Sequence, residues 1–356
     1  MIRRVDSRND RPAHQRRRLL VMVALAAVYA LAWQMTPIAD PSEEHPSTGA
    51  TDMSLYQDVV RGMRNGGTYY DVMGSHLRAL DYPVRSIFNW RQPWLLQGLA
   101  RIPDWCGRLT LALLAGLMIV KATGILRREM LGPLFVINAA LPAAAAQSVF
   151  FSEIWAGFLI ALSVVAYANG KRTEGVLWGL AALFVRELAA PYCMLATFIA
   201  AREKRWREVA AWFAGAAVYG VFFALHVSRV IQHIRPDDPV HANSWIHLGG
   251  LPFLLQVWRT NGLFMLLPPP AFAFVVVAVI TSWWSSRIPL HARGTVAAYS
   301  ICFLIVGLPF NTYWGFVLAP VMGIWLSYAY DGFHQLFSGR RPRRAVEDPG
   351  MIRAAV

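Results

Sequence analysis

The stretch Thr173–Glu208, TEGVLWGLAALFVRELAAPYCMLATFIAAREKRWRE, decides how the chain is threaded. Lys171 and Arg172 precede it, and Arg202, Lys204, Arg205 and Arg207 close it. Short basic segments between apolar runs stay on the cytoplasmic side of a membrane, so both ends belong on one side. The apolar part, residues 174–201, is too long for one ordinary crossing and too short for two, at roughly 20 residues each. Arg186–Glu187 stands in its middle. The expected solution is a re-entrant-like pair of short helices that enters from the cytoplasmic side and turns back at Arg186–Glu187. Charge and broken backbone at membrane depth are tolerated only against protein or water.

The whole chain supports a membrane reading. Its 356 residues are 56% hydrophobic and only 15% charged, against about 25% charged in an ordinary soluble domain. Mean hydropathy is +0.38. The net charge of +13 sits in short segments between apolar runs, which is the positive-inside pattern and argues against nucleic acid as a partner. Cys106, Cys193 and Cys302 show no metal or redox spacing and read as small buried hydrophobes.

Working outward from Thr173–Glu208 gives an all-α, polytopic integral membrane protein of about ten membrane helices. Residues 1–18 form a basic cytoplasmic N-terminus. The run LLVMVALAAVYALAW after Arg16–Arg18 resembles a signal peptide but has no clean small-x-small cleavage site, so it is expected to stay as a first span over about 19–35. Residues 36–104 make a long first outer loop with juxtamembrane helices. Spans are expected over about 106–126, 131–150, 154–170, 208–228, 263–284, 295–309 and 314–331, with an interfacial helix near Leu251–Trp258. The membrane-embedded domain covers 19–337, and a basic tail, 338–356, is expected to be disordered. Both termini come out cytoplasmic in a cell inner (plasma) membrane.

This threading gathers the polar residues at the outer face. ATDMSLYQDVVRGMRNGGTYYDVM, residues 50–73, reads as a helix with Asp52, Asp58 and Asp71 among Tyr56, Tyr69 and Tyr70. Asp52 and Tyr56 are four apart and share a face. An Asp at the start of a helix is kept ionised by the helix dipole, as a general base requires; a solvated capping residue gives the same pattern. In RSIFNWRQPWLLQGLARIPDW, Arg91 stands between Trp90 and Trp94. It suits a lipid phosphate, or a plain interfacial belt. Arg186–Glu187 is a functional pair or a salt bridge that holds the re-entrant turn. Glu153 and His226 join the candidates, each with a structural alternative. Asp237–Asp238 could hold a divalent cation, although a turn is the ordinary reading and no HxxxH-type pattern accompanies it. Asn311, Tyr313 and Trp314 lie at an outer turn.

The Asp-plus-Tyr helix DMSLYQDVVRGMRNGGTYYD, the aromatic FNWRQPW and the later GLAALFVRELAAPY together resemble the GT-C superfamily of polytopic glycosyltransferases, especially its bacterial mannosyltransferase-like members. The resemblance implies a site facing the periplasm or its equivalent, in the cell envelope. It implies a polyprenyl-phosphate sugar as donor, and a glycan, lipid or protein acceptor. Asp52 matches the position of the family's catalytic Asp. Met53 follows it where a second acid is common, which leaves Asp58 as a rival. The implied reaction is a single inverting displacement in which the Asp takes the acceptor proton. Tyr56, Glu153, Glu187 and His226 would line the substrate, and Arg91 or Arg186 would offset charge on the leaving phosphate. No cofactor beyond the lipid-linked donor is expected. The soluble outer domain that often ends the family is missing from the sequence, so the loops would bind the acceptor. A transporter or flippase of a lipid-linked sugar, or a catalytically silent membrane scaffold, would use the same layout without a base.

Overall fold

A computed structural model describes residues 11–35, 52–126, 131–238 and 248–338. The side chains of residues 11–19, 33, 35, 52, 53, 309 and 310 lie outside the description, as does the tail after Ser338. Among the described residues there are fifteen α-helices and no strand. The all-helical class is as expected, and the fifteen include outer and broken segments besides the about ten membrane helices expected.

Two helices form the interior. Helix α7 (Ser152–Ala168) is buried from Ser152 through Ala166, and α14 (Gly315–Leu326) is buried along its whole length. Helices apolar on every side belong inside other helices. They meet closely at Gly157, where an added Cβ would stand 2.3 Å from the Phe316 carbonyl oxygen. Gly157→Ala must push the two core helices apart. It is expected to cost about 1–3 kcal/mol, read as a lower unfolding temperature of the purified full chain.

Two other helices, α5 (Asp104–Ile125) and α10 (Trp206–His233), are long and apolar enough to cross a membrane. At 1.5 Å per residue they measure about 33 and 42 Å, against a hydrocarbon thickness of about 30 Å. Their large apolar side chains point outward: Leu113 and Val120 on α5, and Phe213, Val221 and Leu225 on α10, are all more than half exposed.

The stretch Thr173–Glu208 folds as two short helices. Helix α8 (Arg172–Val185) stops where Arg186 turns extended, at φ −153° and ψ 126°. A 3-10 turn, Glu187–Ala189, follows. Helix α9 (Ala190–Arg202) then begins with Pro191 in its first turn, where the missing N–H costs nothing. The halves run back alongside each other, with the Cys193 thiol 3.5 Å from the Gly179 carbonyl. By contrast, the expected span over 131–150 is interrupted. Helix α6 (Gly132–Ala140) ends at Leu141, and the 3-10 turns Leu141–Ala144 and Ala146–Phe150 complete it. Pro142, which donates no backbone hydrogen bond, stands at that break. The last expected span also splits, into α14 and α15 (Ala329–Ser338).

The first polar segment folds onto one end of the bundle. Helix α2 (Asp52–Arg64) buries Leu55, Tyr56, Val59 and Val60, two i,i+4 pairs that make one apolar stripe. Its far end is latched by Arg64, which donates to Asp104 at 2.7 Å and to the carbonyls of Leu99 and Ile102. Helices α3 (Tyr69–Ala79) and α4 (Pro93–Ala100) complete the segment. The α8–α9 break, the start of α7, the end of α10 and the turn Pro309–Trp314 lie at this same end, in contact with the segment. The opposite end carries Lys171, Arg172, Arg202, Lys204, Arg205 and Arg207 on the short α7–α8 and α9–α10 links and the helix ends beside them. Helix α11 (Gly250–Arg259) forms where an interfacial helix is expected and buries one face, Phe253, Leu254, Leu255, Val257 and Trp258, against the bundle.

Candidate functional site

Glu153, in the first turn of α7, is fully buried, and Arg186, at the α8–α9 break, is 2% exposed. A charge taken this far from water survives only if it is paired. Arg186 Nε lies 2.9 Å from Glu153 Oε1, and its Nη1 donates to Glu187. Arg91 approaches the same Glu153 oxygen, with Nη2 at 3.7 Å. One carboxylate therefore stands between two guanidinium groups from distant parts of the chain. Ser152 donates to the other Glu153 oxygen at 3.1 Å. The contact between Arg186 Nε and Glu153 Oε1 is short but not aligned as a hydrogen bond, so both buried atoms keep unused hydrogen-bonding capacity. The ionic attraction needs no alignment and holds regardless.

Arg91 is fixed from three sides. It donates to the Phe88 carbonyl and to the Tyr313 hydroxyl, both at 2.9 Å. Its guanidinium lies 5.6 Å from the centre of the Tyr56 ring, within cation–π range. Its carbonyl, with that of Trp90, receives the Tyr69 hydroxyl. Burial pushes the Tyr69 phenol well above its ordinary value, so it stays a donor. Trp90 is not the membrane-interface residue the sequence suggests: it is fully buried, and its indole N–H donates to Val84. Trp94 is the exposed one of the pair. Between Tyr56, Arg91, Leu96 and Ser152 lies a crevice of about 10 Å³, room for no more than one water.

The sequence-predicted residues fall into four groups. Arg91, Glu153, Arg186 and Glu187 converge, and Tyr56 joins them through Arg91. His226 is buried near the end of α10 and meets the Tyr70 hydroxyl at 3.1 Å through Nδ1. It belongs to an aromatic cluster with Trp90 and His233. Asp58 is turned away: it pairs with Arg61 at 2.7 Å and its side chain is 41% exposed. Asp52 opens α2 one turn before Tyr56, and its side chain lies outside the described residues.

Sequence reading missed Gln92, which is buried beside this cluster and bonded to the Tyr219 hydroxyl at 2.7 Å. With the amide turned so that its oxygen faces Tyr219, it also receives the Glu187 N–H at 3.2 Å and donates to Phe184. The polar neighbour of Arg91 in RQPW was the available signal.

Asp238 is the partner of Arg78. Arg78 Nε and Nη2 reach its two oxygens at 2.6 and 2.8 Å. Arg235 adds a backbone N–H at 2.6 Å. Among the described residues no three His, Cys, Asp or Glu side chains gather as a metal set. The Arg78 hydrogen bonds hold the Asp238 carboxyl below its ordinary range. A lowered carboxylate contributes stability above its unfolded value, about 3.9. That contribution is lost as pH falls through the lower folded value. Asp238→Asn is expected to cost about 2 kcal/mol at neutral pH. The gap in unfolding temperature from wild type should close in acid, below pH of about 3.9.

No protein-family model, curated protein or solved structure matches the chain.

Proposed function

We propose that the chain is a polytopic GT-C-like membrane glycosyltransferase, moving a sugar from a polyprenyl-phosphate carrier to an extracytoplasmic acceptor. The observation that carries this reading is the convergence of Arg91 and Arg186 on buried Glu153 where the first polar segment docks. Arginines held rigidly in a dry site suit charge developing on a leaving phosphate. They lie at the end of the bundle opposite the basic links, so the positive-inside rule turns them outward. About ten crossings, with α8 and α9 as a re-entrant pair and both termini cytoplasmic in the inner membrane, complete the reading. The base is Asp52, because its position in α2 is on the Tyr56 side, whereas Asp58 faces solvent and Arg61. The crevice at Tyr56 and Arg91 has room for no more than one water, so donor entry must separate these two residues.

One observation favours a silent scaffold instead: Arg186 is already engaged by two carboxylates, as a purely structural cation would be. The deciding experiment is sugar transfer by the purified full chain in proteoliposomes. It would be offered a panel of polyprenyl-phosphate sugars with membrane-glycan acceptors, beside Asp52→Asn and Arg91→Ala. Transfer by wild type that both variants lose supports the enzyme. Movement of lipid-linked sugar across the bilayer that Asp52→Asn retains would assign the transporter reading. A phenotype untouched by either variant would assign the scaffold.

A further inference from the structure

At the basic end, the α7–α8 and α9–α10 links bring the first turns of α8 and α10 side by side. A groove of about 750 Å³ opens between them. Its floor is apolar, made by Val176 and Leu180 of α8 and Ala211 and Ala214 of α10. Its rim is cationic, made by Arg172, Lys204, Arg205 and Arg207. Among the described residues the only carboxylate lining it is Glu208, which is turned inward. Glu208 accepts from Tyr167 at 2.8 Å and from Arg205 at 2.5 Å, and Arg205 also meets Glu203. That leaves Arg172, Lys204 and Arg207 exposed, without an acidic partner among the described residues. Two helix N-termini add partial positive charge at the same mouth. Trp206, 65% exposed, stands at the rim, as Trp does at membrane interfaces.

We infer that this groove binds an anionic phospholipid of the cytoplasmic leaflet, with the phosphate between Arg172, Lys204 and Arg207 and an acyl chain along Val176, Leu180, Ala211 and Ala214. Charge complementarity selects the headgroup. The apolar floor, continuous with the outward apolar face of α10 at Phe213 and Val218, selects a lipid over a soluble phosphate. The inference rests on the membrane part of the proposed function and not on sugar transfer.

The test uses the purified full chain in detergent, with native mass spectrometry of titrated phosphatidylglycerol and phosphatidylcholine. A basic residue near an anionic lipid surface contributes about fivefold in affinity, so three predict about a 100-fold preference for phosphatidylglycerol. Arg172→Gln with Lys204→Gln and Arg207→Gln should abolish that preference, and Arg172→Lys with Arg207→Lys should keep it. Ala214→Phe, which fills the floor and leaves the charges, should weaken retention of both lipids. Equal retention of the two lipids by wild type overturns the inference. So does undiminished competition by inorganic phosphate against wild type and Ala214→Phe alike, which would mark a soluble-anion site. Retention of a second copy of the chain in place of lipid would overturn it in favour of a self-interface. Carbonate extraction of the expressed protein from membranes reads the membrane assignment separately.

Discussion

Asp52→Asn is expected to lower sugar transfer about 10²–10⁴-fold while leaving the unfolding temperature within about a degree of wild type. The size follows from the role. A positioned general base contributes that range, and the amide keeps the size and much of the capping ability of Asp while losing the ability to take a proton. The structure makes Asp58→Asn the matched control. Its carboxylate is well exposed and bound to Arg61, a surface pair whose loss costs well under about 1 kcal/mol, so transfer should stay within about twofold. If Asp58→Asn stopped transfer and Asp52→Asn did not, α2 would have to present its other face to the acceptor. The present packing of Leu55, Tyr56, Val59 and Val60 would then belong to a resting state. A loss of transfer accompanied by a large drop in unfolding temperature would instead mean that Asp52 is a cap and no base.

The helical class, the break at Arg186 and the amphipathic α2 were legible because each is written in local pattern. Two basic flanks and a central ion pair force a turn, and an i,i+4 stripe forces a buried face. The interruption after Ala140 was less legible: Pro142 sits in a run apolar enough to read as one continuous span. The site was legible as a set of residue types but not as a set of pairs. Arg78 and Asp238 are 160 residues apart, and nothing in RPDDPVH says which cation answers its acids. Glu153 could as well have capped α7 alone. What gives it two arginines is the way the first polar segment and the α8–α9 break both fold onto the start of α7. That is a consequence of tertiary packing and leaves no trace in spacing. Trp90 shows the converse: an aromatic beside Arg and Pro has the composition of an interface belt, but α3 and the Val84 carbonyl enclose it.

The second large effect concerns Glu153. Glu153→Gln leaves Arg186 and Arg91 buried with their shared carboxylate gone. Breaking a buried ion pair from one side costs about 3–5 kcal/mol. Arg186 keeps Glu187 and Arg91 keeps Tyr313 and the Phe88 carbonyl, so the lower end, about 3 kcal/mol, applies. Removing both partners is a different matter, since neither charge of the pair is then left buried without the other. Glu153→Gln with Arg186→Met should therefore recover most of the unfolding temperature lost by Glu153→Gln alone. The coupling in the double-mutant cycle should fall at about 1–3 kcal/mol. Transfer distinguishes what stability cannot. If Arg186 serves the leaving phosphate, the double variant regains its fold and stays inactive. If the pair only pins the re-entrant break, it regains both. Additive losses in the cycle would mean that the 2.9 Å contact between Arg186 and Glu153 carries little energy, and that Arg91 is the partner for which Glu153 is buried.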